Sequence, residues 1–218
     1  CLVILHFNKT ITMKQTKTIY HLILDKSGSM IDCLENTING FNEQIHRIRR
    51  IKAEFPDDEM TVGLTIFNEE VIIKYLASNP QDVSLLDSDS YRPGGSTALL
   101  DAIGFTVKRI ESELESSNNI QDTSVIVVVI TDGYENASKV FSMAEIKLMI
   151  ARLEETTKWN FAFIGATLDA VEVAKAMSIK SKNSYSFNKK EMDSVVWDKL
   201  NLSILNYSQK KKNKEADD

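Results

Sequence analysis

Residues 125–130 have the sequence Val-Ile-Val-Val-Val-Ile and run directly into Thr131-Asp132-Gly133. Consecutive β-branched residues favour an extended strand, and six apolar positions in a row leave neither face of that strand for water. Such a run is typical of a central strand in a parallel sheet whose two faces are both covered. The sequence therefore predicts a central parallel strand here, with Asp132 just beyond its carboxyl end.

The chain before this run contains a second buried strand, an amphipathic helix and a hairpin. Residues 19–24 are apolar and end at Asp25. The helix is predicted from apolar residues spaced four and three apart: Leu34, Ile38, Phe41, Ile45 and Ile48. Residues 60–67 and 71–76 are two further strands separated only by residues 68–70. So short a link requires an antiparallel pair, because a parallel crossover needs a dozen residues or more.

After a polar loop over residues 78–97, helices and strands alternate to the end of the predicted domain. The predicted helices comprise an apolar stripe of Leu99, Ile103, Val107, Ile110 and Leu114, a stripe of Ile146, Met149, Ile150 and Leu153, residues 168–177, and residues 189–207. Further strands are predicted at residues 160–166 and 185–187. This alternation predicts an α/β fold: a doubly wound, mainly parallel six-stranded sheet with one antiparallel edge strand and helices on both faces.

Composition limits the classes of function. The net charge of −5 argues against a nucleic-acid binder, which would present a basic stripe. Apolar runs such as residues 125–130 are too short to span a bilayer, and the first residues lack the pattern of a secretion signal, so no membrane role is predicted. Two cysteines, Cys1 and Cys33, do not form a disulfide framework, which fits a cytoplasmic location.

One domain is predicted over residues 17–208. Residues 1–16 are interpreted as a leader outside the fold, and residues 209–218 as a charged, disordered tail. The sequence leaves open whether residues 1–12 belong to the native protein.

Three loops carry candidate ligands for a metal ion. The first predicted strand ends in Asp25-Lys26-Ser27-Gly28-Ser29, and the central strand is followed by Asp132-Gly133. Gly94-Gly95-Ser96-Thr97 precedes a helix and can approach from the side. Ligands of doubly wound sheets bind beyond the carboxyl ends of the strands, where the strand order reverses. If the two strands are neighbours, these loops converge.

The donors in these loops are all oxygens, which select a hard cation. Mg²⁺ prefers about six oxygen ligands near 2.1 Å and usually keeps some waters, so an incoming ligand has a place to bind. Gly28 is expected to let the hydroxyls of Ser27 and Ser29 converge, and the two glycines at 94–95 to let the backbone pass close. Each fragment alone could instead be ordinary: a loop ending in a helix N-cap, and a plain Thr-Asp-Gly turn.

Taken together, the fragments resemble the von Willebrand factor A domain family over residues 17 to about 207. The resemblance implies a complete metal-ion-dependent adhesion site, with Asp25, Ser27 and Ser29 as its first element, Thr97 as its second and Asp132 as its third. Ser96 is the alternative to Thr97, which is preferred because Ala98-Leu99-Leu100 matches the start of the helix. In that family the hydroxyls bind the metal, the aspartates act directly or through water, and a Glu or Asp of a partner completes the shell.

The resemblance implies a non-catalytic, Mg²⁺-dependent protein–protein interaction domain, with Mn²⁺ able to substitute. Small stand-alone bacterial members of the tellurium-resistance type are similar in layout, which suggests an intracellular scaffold or regulator. The sequence names neither the partner, the pathway nor the oligomeric state. Two alternatives stay open: a Mg²⁺-dependent enzyme of phosphatase or receiver type, and a subunit of an AAA+ ATPase assembly. The enzyme is disfavoured because Ser27 occupies the position where such a phosphatase has a second Asp, and because no phosphate loop or nucleophile elbow occurs.

Overall fold

The run at residues 125–130 lies inside a single sheet, in a computed structural model that describes residues 17–117, 123–165 and 170–186. The strands are β1 (Lys17–Asp25), β2 (Glu59–Phe67), β3 (Val71–Ser78), β4 (Thr123–Thr131), β5 (Trp159–Gly165) and β6 (Ser184–Ser186). The helices are α1 (Leu34–Glu54), α2 (Leu99–Ser116), α3 (Met143–Glu155) and α4 (Ala170–Ala176), with short 3-10 helices at Gly28–Cys33, Pro80–Asp82 and Ser181–Asn183.

The sheet has six strands in the order β3-β2-β1-β4-β5-β6. All neighbouring strands are parallel except β2 and β3, which pair antiparallel as the three-residue link requires. The strand order reverses between β1 and β4, which are direct neighbours. The predicted fold class is therefore confirmed, and the two strands that carry Asp25 and Asp132 end side by side.

Helices cover both faces of the sheet, which explains why β4 has no polar alternation. One face packs against α1 and contains Tyr20, Leu22, Leu24, Phe41, Ile45, Ile48, Ile126 and Val128. The other packs against α2, α3 and α4 and contains Ile19, Ile23, Ile103, Val107, Val125, Val127, Ile146 and Ala174. Every residue of β4 is buried. Burying both faces of a strand in this way is the main source of its stability.

A small polar cluster interrupts the apolar core beside α2. The ring of His21 on β1 forms a 2.8 Å hydrogen bond through Nε2 with the hydroxyl of Thr65 on β2, and Thr65 bonds Thr106 of α2 at 2.8 Å. Gly63 pairs with His21 across β1 and β2, and a Cβ at position 63 would lie 1.9 Å from the imidazole Nδ1. The glycine is therefore needed to make room for the histidine ring.

The observed elements differ from the predicted ones mainly at their ends. The strand predicted at 160–166 is observed at Trp159–Gly165, and the helix predicted at 168–177 is observed at Ala170–Ala176. The predicted leader, the last helix at 189–207 and the tail at 209–218 lie outside the described residues. Within the described ranges, no helix has both the length and the apolar character needed to cross a bilayer.

Candidate metal centre

The carboxyl ends of β1 and β4 form the floor of the candidate site. Leu24 pairs with Ile130, so Asp25 and Thr131 end adjacent parallel strands, and Asp132 comes directly after Thr131. Parallel strands present their carboxyl ends at one edge of the sheet, and this edge lies where the strand order reverses. The juxtaposition expected from the sequence is thus present in the fold.

Asp25 is fully buried, and each of its carboxylate oxygens accepts a hydrogen bond. Oδ1 accepts from the main-chain N–H of Ser27 at 2.6 Å, and Oδ2 accepts from the hydroxyl of Thr131 at 2.5 Å. Burial raises the pKa of Asp25 to about 6, although hydrogen bonds from Thr131 and from both the N–H and the hydroxyl of Ser27 lower it, and the nearby charge of Asp132 raises the pKa further. The phenol of buried Tyr91 donates to the main-chain oxygen of Asp25, which fixes the strand end itself.

Three hydroxyl groups converge next to Asp132. The hydroxyl oxygens of Ser27 and Ser29 lie 3.2 Å apart, and the Ser29 hydroxyl donates to Oδ1 of Asp132 at 2.5 Å. A Cβ placed on Gly133 would lie 2.8 Å from Oγ1 of Thr97, 3.3 Å from Oγ of Ser29 and 3.5 Å from Oγ of Ser27. All three hydroxyls therefore surround one small space that any side chain at position 133 would fill.

The loop that carries Thr97 is hydrogen-bonded through its backbone to the loop after β1 and to the β2–β3 turn. Gly28 N–H donates to the carbonyl of Gly95 at 3.0 Å, and Gly94 N–H donates to the carbonyl of Lys26 at 2.9 Å. From the β2–β3 turn, the side-chain amide of Asn68 donates to the Gly94 carbonyl at 2.9 Å. The site is thus assembled from separate loops joined by main-chain hydrogen bonds.

Gly95 is the glycine that this loop requires. Its φ is +81°, and a Cβ there would lie 1.8 Å from Oε2 of Glu69, which accepts the N–H of Ser96 at 2.9 Å. The reasons predicted for the other two glycines were wrong: Gly28 would meet only an ordinary 3.5 Å contact, and a Cβ at Gly94 would meet nothing within 4 Å.

The geometry distinguishes the two hydroxyl candidates of the second element. Thr97 is 3% exposed, and its Oγ1 faces the space beside Gly133. Ser96 is exposed and its N–H is bonded to Glu69. The alternative reading of this loop as a side-chain N-cap does not hold either, because the N-cap of α2 is Ala98 and no side chain of that residue caps the helix.

The residues present fit a hard divalent cation. Two carboxylates and three hydroxyls converge, and all five supply oxygen. The described ranges contain no group of three or more His, Cys, Asp or Glu side chains arranged to hold a metal, and this site has only two carboxylates, so its remaining donors are the three hydroxyls. The donor set therefore suits Mg²⁺ or Mn²⁺ better than it suits an ion that prefers nitrogen or sulfur.

Among the residues that shape the site but were missed from the sequence are Thr131 and Tyr91. Thr131 donates to Asp25 and accepts from Gly133 N–H at 3.1 Å, so its hydroxyl joins the ends of β1 and β4. It had a detectable signal, because it is the polar residue that ends an otherwise apolar strand next to the candidate ligand. Tyr91 had none, since it lies in an aperiodic loop, far along the chain from Asp25.

Comparison with known proteins identifies one family. The model of the von Willebrand factor type A domain matches residues 21–201. Proximal thread matrix protein 1 from the mussel byssus is similar in structure, with a TM-score of 0.60 and 15% sequence identity. The alignment covers 87% of this chain and 48% of the mussel protein. A form of that protein with a zinc-occupied MIDAS motif gives a TM-score of 0.59 at 16% identity, covering 84% of this chain and 46% of that one.

A second structural neighbour is the manganese-loaded TRAP protein of Plasmodium vivax. Its TM-score is 0.50 at 15% identity, and the alignment covers 80% of this chain and 70% of that chain. At these identities the likeness shows the fold alone. The chain spans about half the length of the mussel protein. The comparison with curated proteins gives no match.

Proposed function

Because the chain belongs to the von Willebrand factor type A domain family, we propose that it is a non-catalytic domain that binds a protein partner through one divalent cation. The ligands are Asp25, Ser27, Ser29, Thr97 and Asp132, named here the strand-end cluster. The observation that carries the proposal is the space beside Gly133, which three hydroxyl oxygens approach to within 2.8–3.5 Å of one point.

The proposed cation is Mg²⁺, with Mn²⁺ able to substitute. The support comes from the donor set, which consists of oxygens, and from the structural neighbours, one with zinc in its MIDAS motif and one loaded with manganese. Ser27, Ser29 and Thr97 contribute neutral hydroxyls, so only Asp25 and Asp132 offset the charge of the ion. When bound, the cation supplies an open coordination position that can accept a carboxylate oxygen.

The proposed partner is a protein that presents a Glu or Asp at this position. The residues of the chain prepare the surface for it: Thr131 and Ser27 N–H restrain the Asp25 carboxylate, and Asp132 orients the Ser29 hydroxyl. We expect neither nucleic acid nor membrane as a partner, in line with the net charge of −5. The oligomeric state is left open.

A non-catalytic role is supported by the surroundings of the two serines. The His21 ring is engaged by Thr65 in the core, and His46 is exposed on α1. Neither described histidine is thus placed as a general base for these hydroxyls. We also propose a bacterial protein that acts in the cytoplasm as a scaffold or regulator. The cytoplasmic part of this proposal is supported by Cys33, whose thiol is buried and donates to the Met30 carbonyl instead of forming a disulfide.

Partner capture with Thr97→Ala tests this function. The immobilised chain should retain its partner in Mg²⁺ and release it in EDTA. Thr97→Ala should lose the partner while its circular dichroism is unchanged, whereas Thr61→Ala, a threonine on β2 outside the cluster, should bind normally. Replacing one Glu or Asp of the captured protein should abolish the complex. Retention that is indifferent to both EDTA and Thr97→Ala would show that recognition occurs elsewhere.

A further inference from the structure

The backbone of Thr97 is hydrogen-bonded to the loop that follows Asp132, chiefly to Asn136. Its N–H donates to Oδ1 of Asn136 at 2.9 Å, and its carbonyl accepts from the N–H groups of Asn136 and Ala137 at 3.0 and 3.2 Å. Asn136 therefore contacts both backbone polar groups of Thr97. This matters because Thr97 lies in a loop, where no helix or strand ladder fixes its backbone.

The loop that carries Asn136 is itself rigidly braced, although it contains no helix or strand. Oε1 of Glu135 accepts from the N–H groups of Ala137 at 2.9 Å and Ser138 at 2.7 Å. Its Oε2 accepts from the Ser138 hydroxyl at 2.7 Å and from the N–H of Leu100 at 2.9 Å. One carboxylate thus folds the loop on itself and ties it to the first turn of α2.

This bracing also replaces the missing cap of α2. Ala98 is the N-cap and provides no side-chain bond, so the first amides of the helix need partners from elsewhere. The Leu100 N–H donates to Oε2 of Glu135 at 2.9 Å, and the Asp101 N–H donates to the hydroxyl of Ser138 at 3.0 Å. The start of α2, and Thr97 two residues before it, are therefore fixed relative to the loop that begins at Asp132.

We propose that Asn136 is a positioning residue that places the Thr97 hydroxyl for the cation and joins the Thr97 and Asp132 loops into one unit. This inference rests on the proposed function. The hydrogen bonds to the Thr97 backbone form when the chain folds, before any ion binds. Ion binding therefore does not have to supply the free energy needed to order this backbone. Residues that hydrogen-bond to metal ligands without contacting the metal typically lower metal affinity by about 10- to 100-fold when they are removed. Asn136→Ala should accordingly bind Mn²⁺ about tenfold more weakly than the parent.

Asn42 provides a matched control. Its side-chain oxygen accepts the N–H of Leu86 at 2.8 Å, and its amide donates to the Leu86 carbonyl at 2.9 Å. The Asn42 side chain thus binds the backbone of a loop residue, as the Asn136 side chain binds the Thr97 N–H, and Leu86 belongs to the same connection between β3 and α2. Asn42 contacts no residue that bears a ligand, so Asn42→Ala removes two side-chain hydrogen bonds, one more than Asn136→Ala removes from Thr97, and leaves Thr97 untouched.

The test measures Mn²⁺ affinity by electron paramagnetic resonance, and melting in EDTA, for the full chain and these variants. Asn136→Ala should weaken Mn²⁺ about tenfold, while Asn42→Ala should keep the parental Kd although both variants melt earlier. Asn136→Asp, which preserves an oxygen acceptor for Thr97 N–H, should recover most of the affinity. If Asn136→Ala fails to fold, Asn136→Gln, which displaces the same amide by one methylene, replaces it with the same expected loss.

Two results would overturn the inference. One is an Asn136 variant that is folded and binds Mn²⁺ as tightly as the parent, and the other is an equal loss of affinity in Asn136→Ala and Asn42→Ala. Either would leave the proposed function intact, because the parent would still bind Mn²⁺. A parent that does not bind Mn²⁺ would overturn the proposed function, and this inference with it.

Discussion

Asp101 and Asp132 are two carboxylates of almost equal burial, 7% and 5% exposed, in very different surroundings. Asp101 accepts three main-chain N–H groups, from Lys139 at 2.8 Å, Val140 at 3.0 Å and Phe141 at 2.8 Å. Asp132 accepts a hydroxyl from Ser29 and lies next to those of Ser27 and Thr97. Main-chain amides can only donate, whereas hydroxyls can rotate and offer lone pairs to a cation. The type of donor, more than burial, separates a structural carboxylate from a candidate ligand.

The largest expected effect is that of Asp101→Asn. The new amide group faces main-chain N–H donors, so at least one of these N–H groups loses its acceptor and the remaining bonds lose their charge assistance. This should lower the free energy of unfolding by about 3 kcal/mol and the melting temperature by about 6–12 °C. Calorimetry should give the same loss in EDTA and in Mg²⁺. If Asp101→Asn is folded but no longer responds to Mg²⁺, Asp101 is not purely structural.

His21 extends the comparison between structural and ligand-like groups, because it is a titratable residue that lies wholly within the core. Burial lowers the pKa of His21 to about 3. In mild acid the imidazole is therefore protonated in the unfolded chain but stays neutral in the folded chain. Below the unfolded pKa of about 6.5, the contribution of His21 to stability should therefore fall as pH falls, by about 1.4 kcal/mol per pH unit, until the folded pKa is approached. The raised pKa of Asp25 acts in the opposite direction between about pH 6 and 4, so the contribution of His21 is the difference between the parent and His21→Gln. Between pH 6.5 and 5 this amounts to about 2 kcal/mol.

Urea unfolding at several pH values checks this slope. The difference in stability between the parent and His21→Gln should change with pH by this amount, whereas His46→Gln, which changes a histidine exposed on α1, should follow the parental pH profile. Parallel pH profiles for the parent and His21→Gln would show that His21 is not kept neutral by the fold.

A smaller effect is expected for Asp132→Asn, the counterpart of Asp101→Asn. The asparagine can still accept from Ser29, and one of two neighbouring negative charges disappears, so the variant should melt at or above the parent in EDTA. It should nevertheless gain almost nothing from Mg²⁺. The parent should gain about 1.4 kcal/mol, or about 3–5 °C, at a Mg²⁺ concentration tenfold above Kd. An Asp132→Asn protein that melts far below the parent in EDTA would place Asp132 in the structural class with Asp101.

The sequence predicted the strand-end cluster better than its supports, for a physical reason. Asp25 and Asp132 each follow an apolar run whose length and β-branching indicate a buried strand, and a parallel sheet brings such ends together. Asp101, Glu135 and Asn136 depend instead on the path of residues 133–142, which has no helix or strand and therefore no periodicity to recognise.

The same reasoning explains which features of the fold could be predicted. The burial pattern of the strands predicts a mainly parallel sheet, and the three-residue link predicts the antiparallel hairpin. Both features are confirmed. The pairing of His21 with Gly63 could not be foreseen, because it depends on the register of β1 against β2. A single histidine within an apolar run gives no indication that it will form a hydrogen bond with Thr65 of the neighbouring strand.

The most direct test of the central claim, one cation bound at the strand-end cluster, is a substoichiometric Mn²⁺ titration followed by amide NMR. Paramagnetic broadening should appear first at residues 25–29, 97 and 132–133, with a stoichiometry of one ion per chain. Asp25→Ala should bind Mn²⁺ more weakly and broaden these signals less at the same Mn²⁺ concentration. Broadening that begins elsewhere, or an Asp25→Ala protein that binds Mn²⁺ as tightly as the parent, would contradict the assignment.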